Sequence, residues 1–295
     1  MQKHLISVIN LNKEDLKELK TLYEDFRRGR RENLDGDIAL LFLESSTRTR
    51  LSFEKACRLL GLKTYYIGRG ESSMEKGESF LDTLKTLKAL GFKGIIFRVP
   101  FVLFPYDNLL IDGISLINAG DGTHQHPTQA LIDLFTAMEV FGFVEGLRVV
   151  YVGDIAHSRV FRSGAHLFKL FGARIGVCGP KTLIPSDLSP FGVEEVFKSV
   201  EEALEWADLP IWLRLQEERF KENYIPSKES YFMQFGLTKD RHEKIRGYFM
   251  HPGPANLYVD IDAEVLYSEK SLVLKQVENG LFVRMAVLYW VLRDG

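Results

Sequence analysis

The sequence predicts an α/β protein of two parallel-sheet domains with an active-site cleft between them. Three observations carry this. The chain has 295 residues, and at roughly 150 residues per domain that is about two. Short continuous apolar runs, such as residues 38–43, alternate with amphipathic helical stretches in both halves, as buried parallel strands and their crossover helices do. The polar motifs follow directly on the apolar runs. In parallel sheets that is where ligands sit, beyond the carboxyl ends of the strands, so two facing domains would enclose a cleft.

The elements follow in order. Asn12 caps a first helix whose apolar stripe is Leu16, Leu19, Tyr23 and Phe26. Asp35-Gly36-Asp37 turns into the strand at 38–43. A helix over 46–60 is stopped by Gly61. A short strand over 64–67 leads to a polar loop, 68–77, and then to a helix over 78–90 stopped by Gly91. Strands are expected over 94–99 and 114–118, and Pro127 opens a helix over 127–140. The second half repeats the alternation. Its strand over 148–152 turns at Gly153-Asp154 into a helix over 159–171. A strand over 174–178, a capping box at Ser199 and Glu202, and strands over 209–213 and 248–250 follow. An amphipathic helix over about 274–293 comes last.

Composition narrows the function. Lys and Arg number 38 against 40 Asp and Glu, a formal net charge of −2. General nucleic-acid binding wants a strong basic excess, so it is not expected. A local anion site needs only local positive charge. An apolar content of 45% with 26% charged residues excludes disordered, collagenous and coiled-coil classes. The two cysteines, Cys57 and Cys178, are far apart, which argues against a disulfide framework and a structural zinc site. The first residues show no secretory signal, and no apolar run reaches the roughly 20 residues of a membrane span. A cytoplasmic protein is expected, with no membrane partner.

Seven motifs carry chemistry. In Glu44-Ser45-Ser46-Thr47-Arg48-Thr49-Arg50 a buried strand runs into hydroxyls and arginines at a helix start, where unpaired N–H groups and the helix dipole favour an anion. The plainer alternative is an N-cap with surface arginines. The loop holding Ser72 and Lys76 is Gly-flanked and polar; a solvated loop is the commoner explanation. Arg98 ends a strand before Pro100. His126 and Gln129 lie three apart at a helix start and share a face, suited to polarising a carbonyl and holding an NH₂ group. The His124/His126 pair lacks a third ligand, so neither metal nor cofactor is expected. Gly153-Asp154-Ile155-Ala156-His157-Ser158-Arg159 lacks the glycine pattern of a dinucleotide turn. Its arginine at a helix start is electrostatically awkward, which suggests a task such as gripping a carboxylate. Arg214-Leu215-Gln216 places another arginine at a strand edge. His251-Pro252-Gly253-Pro254 is a stiff turn that fixes backbone carbonyls. Arginines and a lysine at strand exits of a net-acidic chain imply small polyanionic substrates.

The ordered set of Ser46-Thr47-Arg48-Thr49-Arg50, Arg98, His126-Pro127-Thr128-Gln129, Arg214-Leu215-Gln216 and His251-Pro252-Gly253-Pro254 resembles the aspartate/ornithine carbamoyltransferases over nearly the whole chain. The resemblance implies a carbamoyl-phosphate domain over 1–128, completed by a C-terminal helix at about 278–295 that crosses back to it. It implies an aspartate domain over 129–277. By resemblance, Ser46, Thr47, Arg48 and Thr49 hold the phosphate, and Thr49, Arg98 and His126 polarise the carbamoyl C=O. Gln129 orients its NH₂ group. Ser72 and Lys76 come from a neighbouring subunit of a homotrimer with shared sites. Arg159, Arg214 and Gln216 hold the aspartate carboxylates, the carbonyls of Pro252 and Gly253 receive the amine, and Glu44 bridges to Arg159. The catalytic set is thus Arg48, Thr49, Lys76, Arg98 and His126.

Arg214 and the His-Pro-Gly-Pro turn point to aspartate over ornithine, because an arginine fork takes a carboxylate and repels an ammonium. The activity implied is carbamoyl transfer from carbamoyl phosphate to L-aspartate, in pyrimidine biosynthesis. The alternatives are transfer to ornithine or another acceptor, and a non-catalytic phosphometabolite-binding protein, against which Lys76 and His126 argue. Whether regulatory chains or a dihydroorotase join the trimer is left open. Two departures stand out: Ser45 replaces a proline common in the family, and residues 101–106 are unusually apolar, which suggests burial in the domain core or, less commonly, a protein contact.

Overall fold

The structure is a computed structural model and describes residues 2–220 and 222–293. The chain divides into two compact units, Met1–Thr128 with Glu278–Gly295, and Gln129–Val277. No helix among the described residues is long and apolar enough to cross a membrane.

The first unit is built on four parallel strands, β1 (Asp37–Phe42), β2 (Lys63–Gly68), β3 (Gly94–Val99) and β4 (Ser115–Asp121), in the order β2-β1-β3-β4. The inner strand β1 is buried at five of its six positions, hence its unbroken apolar run. The edge strand β2 is exposed at three of its six positions and carries polar and tyrosine residues instead. Helices α1 (Lys13–Arg27), α2 (Thr47–Leu59) and α3 (Phe80–Ala89) accompany the sheet. Asn12 and Asp15 form a reciprocal capping box on α1 (2.9 and 3.1 Å), and the stripe of Leu16, Leu19, Tyr23 and Phe26 is buried. Helix α3 starts two residues later than its apolar pattern suggests. The Ser79 hydroxyl, which accepts from Asp82 N at 3.1 Å, is the cap.

The second unit repeats the plan. Helix α4 (Pro127–Phe141) leads into strands β5 (Arg148–Val152), β6 (Arg174–Cys178), β7 (Val193–Phe197) and β8 (Leu209–Trp212), parallel and in the order β7-β6-β5-β8. Helices α5 (Arg159–Leu170), α6 (Val200–Trp206), α7 (Lys228–Phe235) and α8 (Lys239–Lys244) accompany them. Trp212, Tyr151, Phe161, Phe168 and Phe249 are fully buried and fill the core.

The differences from the sequence pattern have local causes. Strand β7 is an edge strand with three exposed positions, so it lacks an apolar run. Residues 248–250 form no strand of their own; Met250 bridges Ile211 and Phe249 bridges Ser271 in isolation. Ser199 caps α6, but the Glu202 carboxylate accepts from Lys198 N (3.2 Å), one residue outside the reciprocal box. Helices α7 and α8 are too short for a clear periodicity. Arg241 of α8 holds the end of α7 instead, donating to the carbonyls of Met233, Gln234 and Gly236 (3.0, 3.1 and 2.7 Å).

The last helix, α9 (Val273–Leu292), contributes its residues from Glu278 onward to the first unit. The arginine that interrupts its apolar run is buried there. Arg284 donates to Ser52 Oγ of α2 (2.9 Å) and to the Gly280 carbonyl (3.1 Å), with its guanidinium over the Phe53 ring. Burial pushes the guanidinium down to about 10, so at neutral pH it is still charged and needs its acceptors. Ser52→Ala withdraws one of them. It should cost about 1–3 kcal/mol, read as a lowered denaturant midpoint; an unchanged midpoint would show that Ser52 is not needed to satisfy Arg284.

Candidate active site

In the first sheet, β2 lies on one side of β1 and β3 on the other, so the strand order reverses between β1 and β3. Ligands bind at such a switch point because the loops leaving the two strands diverge there. The loop leaving β1 carries Glu44 to Ser46 and runs into the first turn of α2, which holds Thr47, Arg48 and Thr49, and Arg98 lies on β3. Ser46 occupies the N-cap position of α2, yet its hydroxyl makes no capping hydrogen bond. The first turn therefore lacks the side-chain acceptor that a plain N-cap would supply. Thr47 and Arg48 are exposed, Ser46 is half-buried and Thr49 is buried. Arg50 belongs to the scaffold: it pairs with Glu54 at 3.0 Å and stacks on Tyr66.

Arg98 sits where the β3–β4 register shifts, an irregularity that re-aims a strand side chain. Its guanidinium donates to Glu44 Oε1 at 2.8 Å and to the Ala119 carbonyl at 3.1 Å. It also contacts His126 Nε2 at 3.4 Å. Arg98, His126 and Glu44 are thus brought together within the first unit. Ser72 is buried, its hydroxyl accepting from Met74 N (3.3 Å), and Lys76 is exposed at the end of the 3₁₀ turn Ser73–Lys76.

The apolar segment at 101–106 divides. Tyr106 is buried and donates to Asp121 Oδ2 at 3.0 Å, and Leu103 packs on the core. Phe101, Val102 and Phe104 are 40%, 47% and 65% exposed, so most of the run is not core.

The second sheet reverses between β5 and β8. The loops leaving these strands carry Asp154 to Arg159 and Leu213 to Gln216. Gly153 makes the turn after β5 at φ +120°, and a Cβ there would lie 2.7 Å from the Tyr231 hydroxyl. Asp154, fully buried, joins the two loops: it accepts from His157 N and Nδ1 (3.2 and 2.9 Å) and from Gln216 N (3.3 Å). Gln216 Nε2 donates one hydrogen to the His157 carbonyl at 3.0 Å, and an amide nitrogen has a second. Arg159 is buried as the first residue of α5. Arg214 pairs with Glu218, with Nη1 to Oε2 at 3.2 Å.

A second buried carboxylate, Asp260, accepts from Leu215 N (3.0 Å) and Asn256 N (2.8 Å) and lies 3.6 Å from His251 Nε2. It anchors the turn at 251–254 to the segment bearing Arg214. His251 Nδ1 accepts from Gly253 N at 3.0 Å, and Gly253 takes φ +65°, which favours glycine. Gln129, buried on α4, donates through Nε2 to Asp133 Oδ1 at 2.8 Å. Asp133, Asp260 and Gln276 were not singled out by their sequence. Asp133 had a readable signal, a carboxylate four residues after Gln129 in a mostly apolar helix. Among the described residues no group of three or more His, Cys, Asp or Glu side chains could hold a metal ion.

Burial pushes the Asp133 carboxyl up from 3.8 to about 7, against the opposing pull of the Gln129 and Gln276 amide donors. A carboxyl raised in the folded state holds its proton more tightly there than in the unfolded chain. Its contribution to stability is present in full below about pH 4 and is lost as pH rises to about 7. The full shift corresponds to roughly 4 kcal/mol. Asp133→Asn, which does not titrate, should therefore gain stability relative to the parent between pH 4 and 7. A difference between their unfolding midpoints that is flat over that range would contradict the buried-carboxyl account.

The comparisons with known proteins agree with these two halves. Residues 3–139 match the model of the aspartate/ornithine carbamoyltransferase carbamoyl-P binding domain, and residues 145–291 that of the Asp/Orn binding domain. The aspartate carbamoyltransferase catalytic subunit of Aquifex aeolicus is 58% identical over 284 residues, covering 96% of this chain and 97% of that protein. The aspartate transcarbamoylase of Trypanosoma cruzi in complex with N-(phosphonacetyl)-L-aspartic acid superposes with a TM-score of 0.87 at 27% identity, covering 99% and 96% of the two chains. The ornithine carbamoyltransferase of Pyrococcus furiosus superposes with a TM-score of 0.85 at 25% identity, covering 100% and 98%. The backbone alone thus does not separate the two acceptors. The matched models span both sheets and every motif described above, and the chain belongs to the aspartate/ornithine carbamoyltransferase family.

Proposed function

We propose that the protein transfers the carbamoyl group of carbamoyl phosphate to the α-amine of L-aspartate, giving N-carbamoyl-L-aspartate and phosphate, a step toward pyrimidines. The observation that carries the choice of acceptor is the pair of loops at the second sheet's switch point. Arg159 and Arg214 lie on them with Gln216, held in register by Asp154. Two guanidinium groups and an amide suit a dicarboxylate and would repel the ammonium of ornithine. The high identity to the Aquifex aeolicus subunit supports the same acceptor.

In this reading the first unit is the carbamoyl-phosphate domain and the second the aspartate domain. The phosphate is held by Ser46, Thr47, Arg48 and Thr49 at the N-terminus of α2, where backbone N–H groups and the dipole favour it. Thr49, Arg98 and His126 take the carbamoyl oxygen, and Gln129 accepts from its NH₂ group. The aspartate amine meets the carbonyls of Pro252 and Gly253, and its carboxylates meet Arg159, Arg214 and Gln216. The amine nitrogen bonds to the carbamoyl carbon, and the developing oxyanion is stabilised by Arg98, His126 and Thr49. The carbon–oxygen bond to phosphate then breaks, and the leaving phosphate carries off the amine proton, so no protein base is required. Holding both substrates in place supplies the entropic part of the acceleration.

Two internal ion pairs bear on this chemistry. Glu44 occupies Arg98, and Glu218 occupies Arg214, so at Arg214 a substrate carboxylate exchanges with one already present. We further infer a cytoplasmic homotrimer in which Ser72 and Lys76 serve the neighbouring subunit's site, consistent with the exposure of Lys76.

Removing one member of a desolvated charge pair costs about 2–5 kcal/mol. At about 1.4 kcal/mol per decade, Arg214→Ala should lower kcat/KM for aspartate roughly thirtyfold to several thousandfold. Carbamoyl-phosphate affinity, measured by equilibrium binding, should hardly change, whereas Arg48→Ala should lose it first. Normal aspartate use by Arg214→Ala would refute the acceptor assignment. Shared sites make a second prediction: trimers reassembled from inactive Lys76→Ala and Arg48→Ala chains should recover activity, because a mixed trimer has a site with neither defect. No recovery in well-mixed trimers would refute sharing.

A further inference from the structure

We propose that Asp133 is the positioning residue that sets which edge of the Gln129 amide faces the substrate, and that through Gln276 it ties this amide to the His251–Gly253 turn. The proposal rests on the reading that Gln129 accepts from the carbamoyl NH₂ group.

A glutamine amide has two unlike edges, and a half-turn about its last bond exchanges them. An NH₂ group can be held only if Oε1 faces it. Asp133 decides the matter. Its Oδ1 lies 2.8 Å from Gln129 Nε2 and 2.7 Å from Gln276 Nε2; accepting from both amides, Oδ1 carries no hydrogen of its own, and a proton on the carboxyl sits on Oδ2. A flipped amide would press Oε1 against Oδ1, two acceptors with no hydrogen between them. In a site where Asp133 is wholly buried, water is not there to relieve that clash. With Nε2 held inward, Oε1 is directed away from Asp133.

The same carboxylate oxygen fixes a second amide. Gln276 Nε2 donates to Asp133 Oδ1 at 2.7 Å, which by the same argument orients Gln276 Oε1 outward, where it accepts from His251 N at 3.2 Å. His251 Nδ1 in turn accepts from Gly253 N at 3.0 Å. An unbroken hydrogen-bonded chain thus runs from Gln129 through Asp133, Gln276 and His251 to Gly253, all within the second unit. Its two ends are the groups read as holding the carbamoyl NH₂ and the attacking amine. Asp133 Oδ2 and the nearby Tyr151 hydroxyl have no hydrogen-bond partner among the described residues, so Asp133 Oδ1 carries the arrangement.

The bland alternative is a carboxylate that merely fastens α4 to α9. Steady-state kinetics on the full-length chain separates the two. Asp133→Asn keeps a carbonyl oxygen for both amides and should stay within about threefold of the parent. Asp133→Leu removes it and should lose about 10–100-fold in kcat/KM, the range expected when a support behind a contacting group is removed. The decisive measurement is a cycle with Gln129→Ala: in that background Asp133→Leu should cost no more than about threefold further. Gln276→Leu should raise KM for aspartate while leaving KM for carbamoyl phosphate within twofold. If Asp133→Leu does not fold, Asp133→Ser, whose hydroxyl is too short to reach both amides, replaces it in the cycle. A full additional loss in the Gln129→Ala background, or parental kinetics for Asp133→Leu, overturns the positioning role. An unchanged aspartate KM in Gln276→Leu overturns the link to the turn. Parental kinetics for Gln129→Ala itself would instead show that the reading of Gln129 is at fault, and the positioning role would fall with it.

Discussion

Strand order is the constraint on which the rest of this structure depends. In each unit four parallel strands are laid down so that the chain moves outward in one direction and then in the other, from β1 to β2 and back past β1 to β3, and from β5 to β6 and back past β5 to β8. Parallel strands place all their carboxyl ends on one edge, and the reversal separates two neighbouring loops there. Cationic and hydroxylic residues of both halves sit on those loops, at the strand end or in the helix turn that follows. Neither sheet needs a special side chain to create the opening; the opening is a consequence of connectivity.

Openings of this kind expose loop backbone, and loops without hydrogen-bonding partners are mobile. Buried carboxylates fix them here. Asp121 accepts from Leu103 N, Tyr106 Oη, Asn118 Nδ2 and Gln125 N, and so gathers the chain on both sides of β4. Asp154 and Asp260 do the same for the loops bearing Gln216 and Arg214. Asp133 does so for the Gln129 amide. A buried carboxylate is costly unless its lone pairs are satisfied, so each acts as a tight specification of local geometry.

The cations are handled differently. Arg98 and Arg214 are paired with glutamates of their own unit, through short and local contacts. Each such pair satisfies its guanidinium locally. Scaffold arginines show the contrast. Arg241 is tied by helix carbonyls as well as by Glu201 at 2.9 Å, and Arg284 by a hydroxyl and a carbonyl, so each is fixed by several groups of its own unit.

Much of the fold was legible in the sequence, because inner parallel strands and amphipathic helices leave periodic apolar traces. The strand β3 and the capping box of α1 are cases where spacing alone determined the element. The placement of Ser46 to Thr49, Arg159 and Arg214 just after buried strands was legible too, since each follows an apolar run. Edge strand β7 and the short helices α7 and α8 left no such trace, because their side chains face water or are fixed by a distant arginine. Only the tertiary structure decided which buried polar residues hold these segments. Asp133, Asp260 and Gln276 gain their meaning from partners 4, 45 and 143 residues away. The helical spacing of four leaves a trace for Asp133, but a hydrogen bond across 45 or 143 residues is a fact of three-dimensional packing that no period in the chain records.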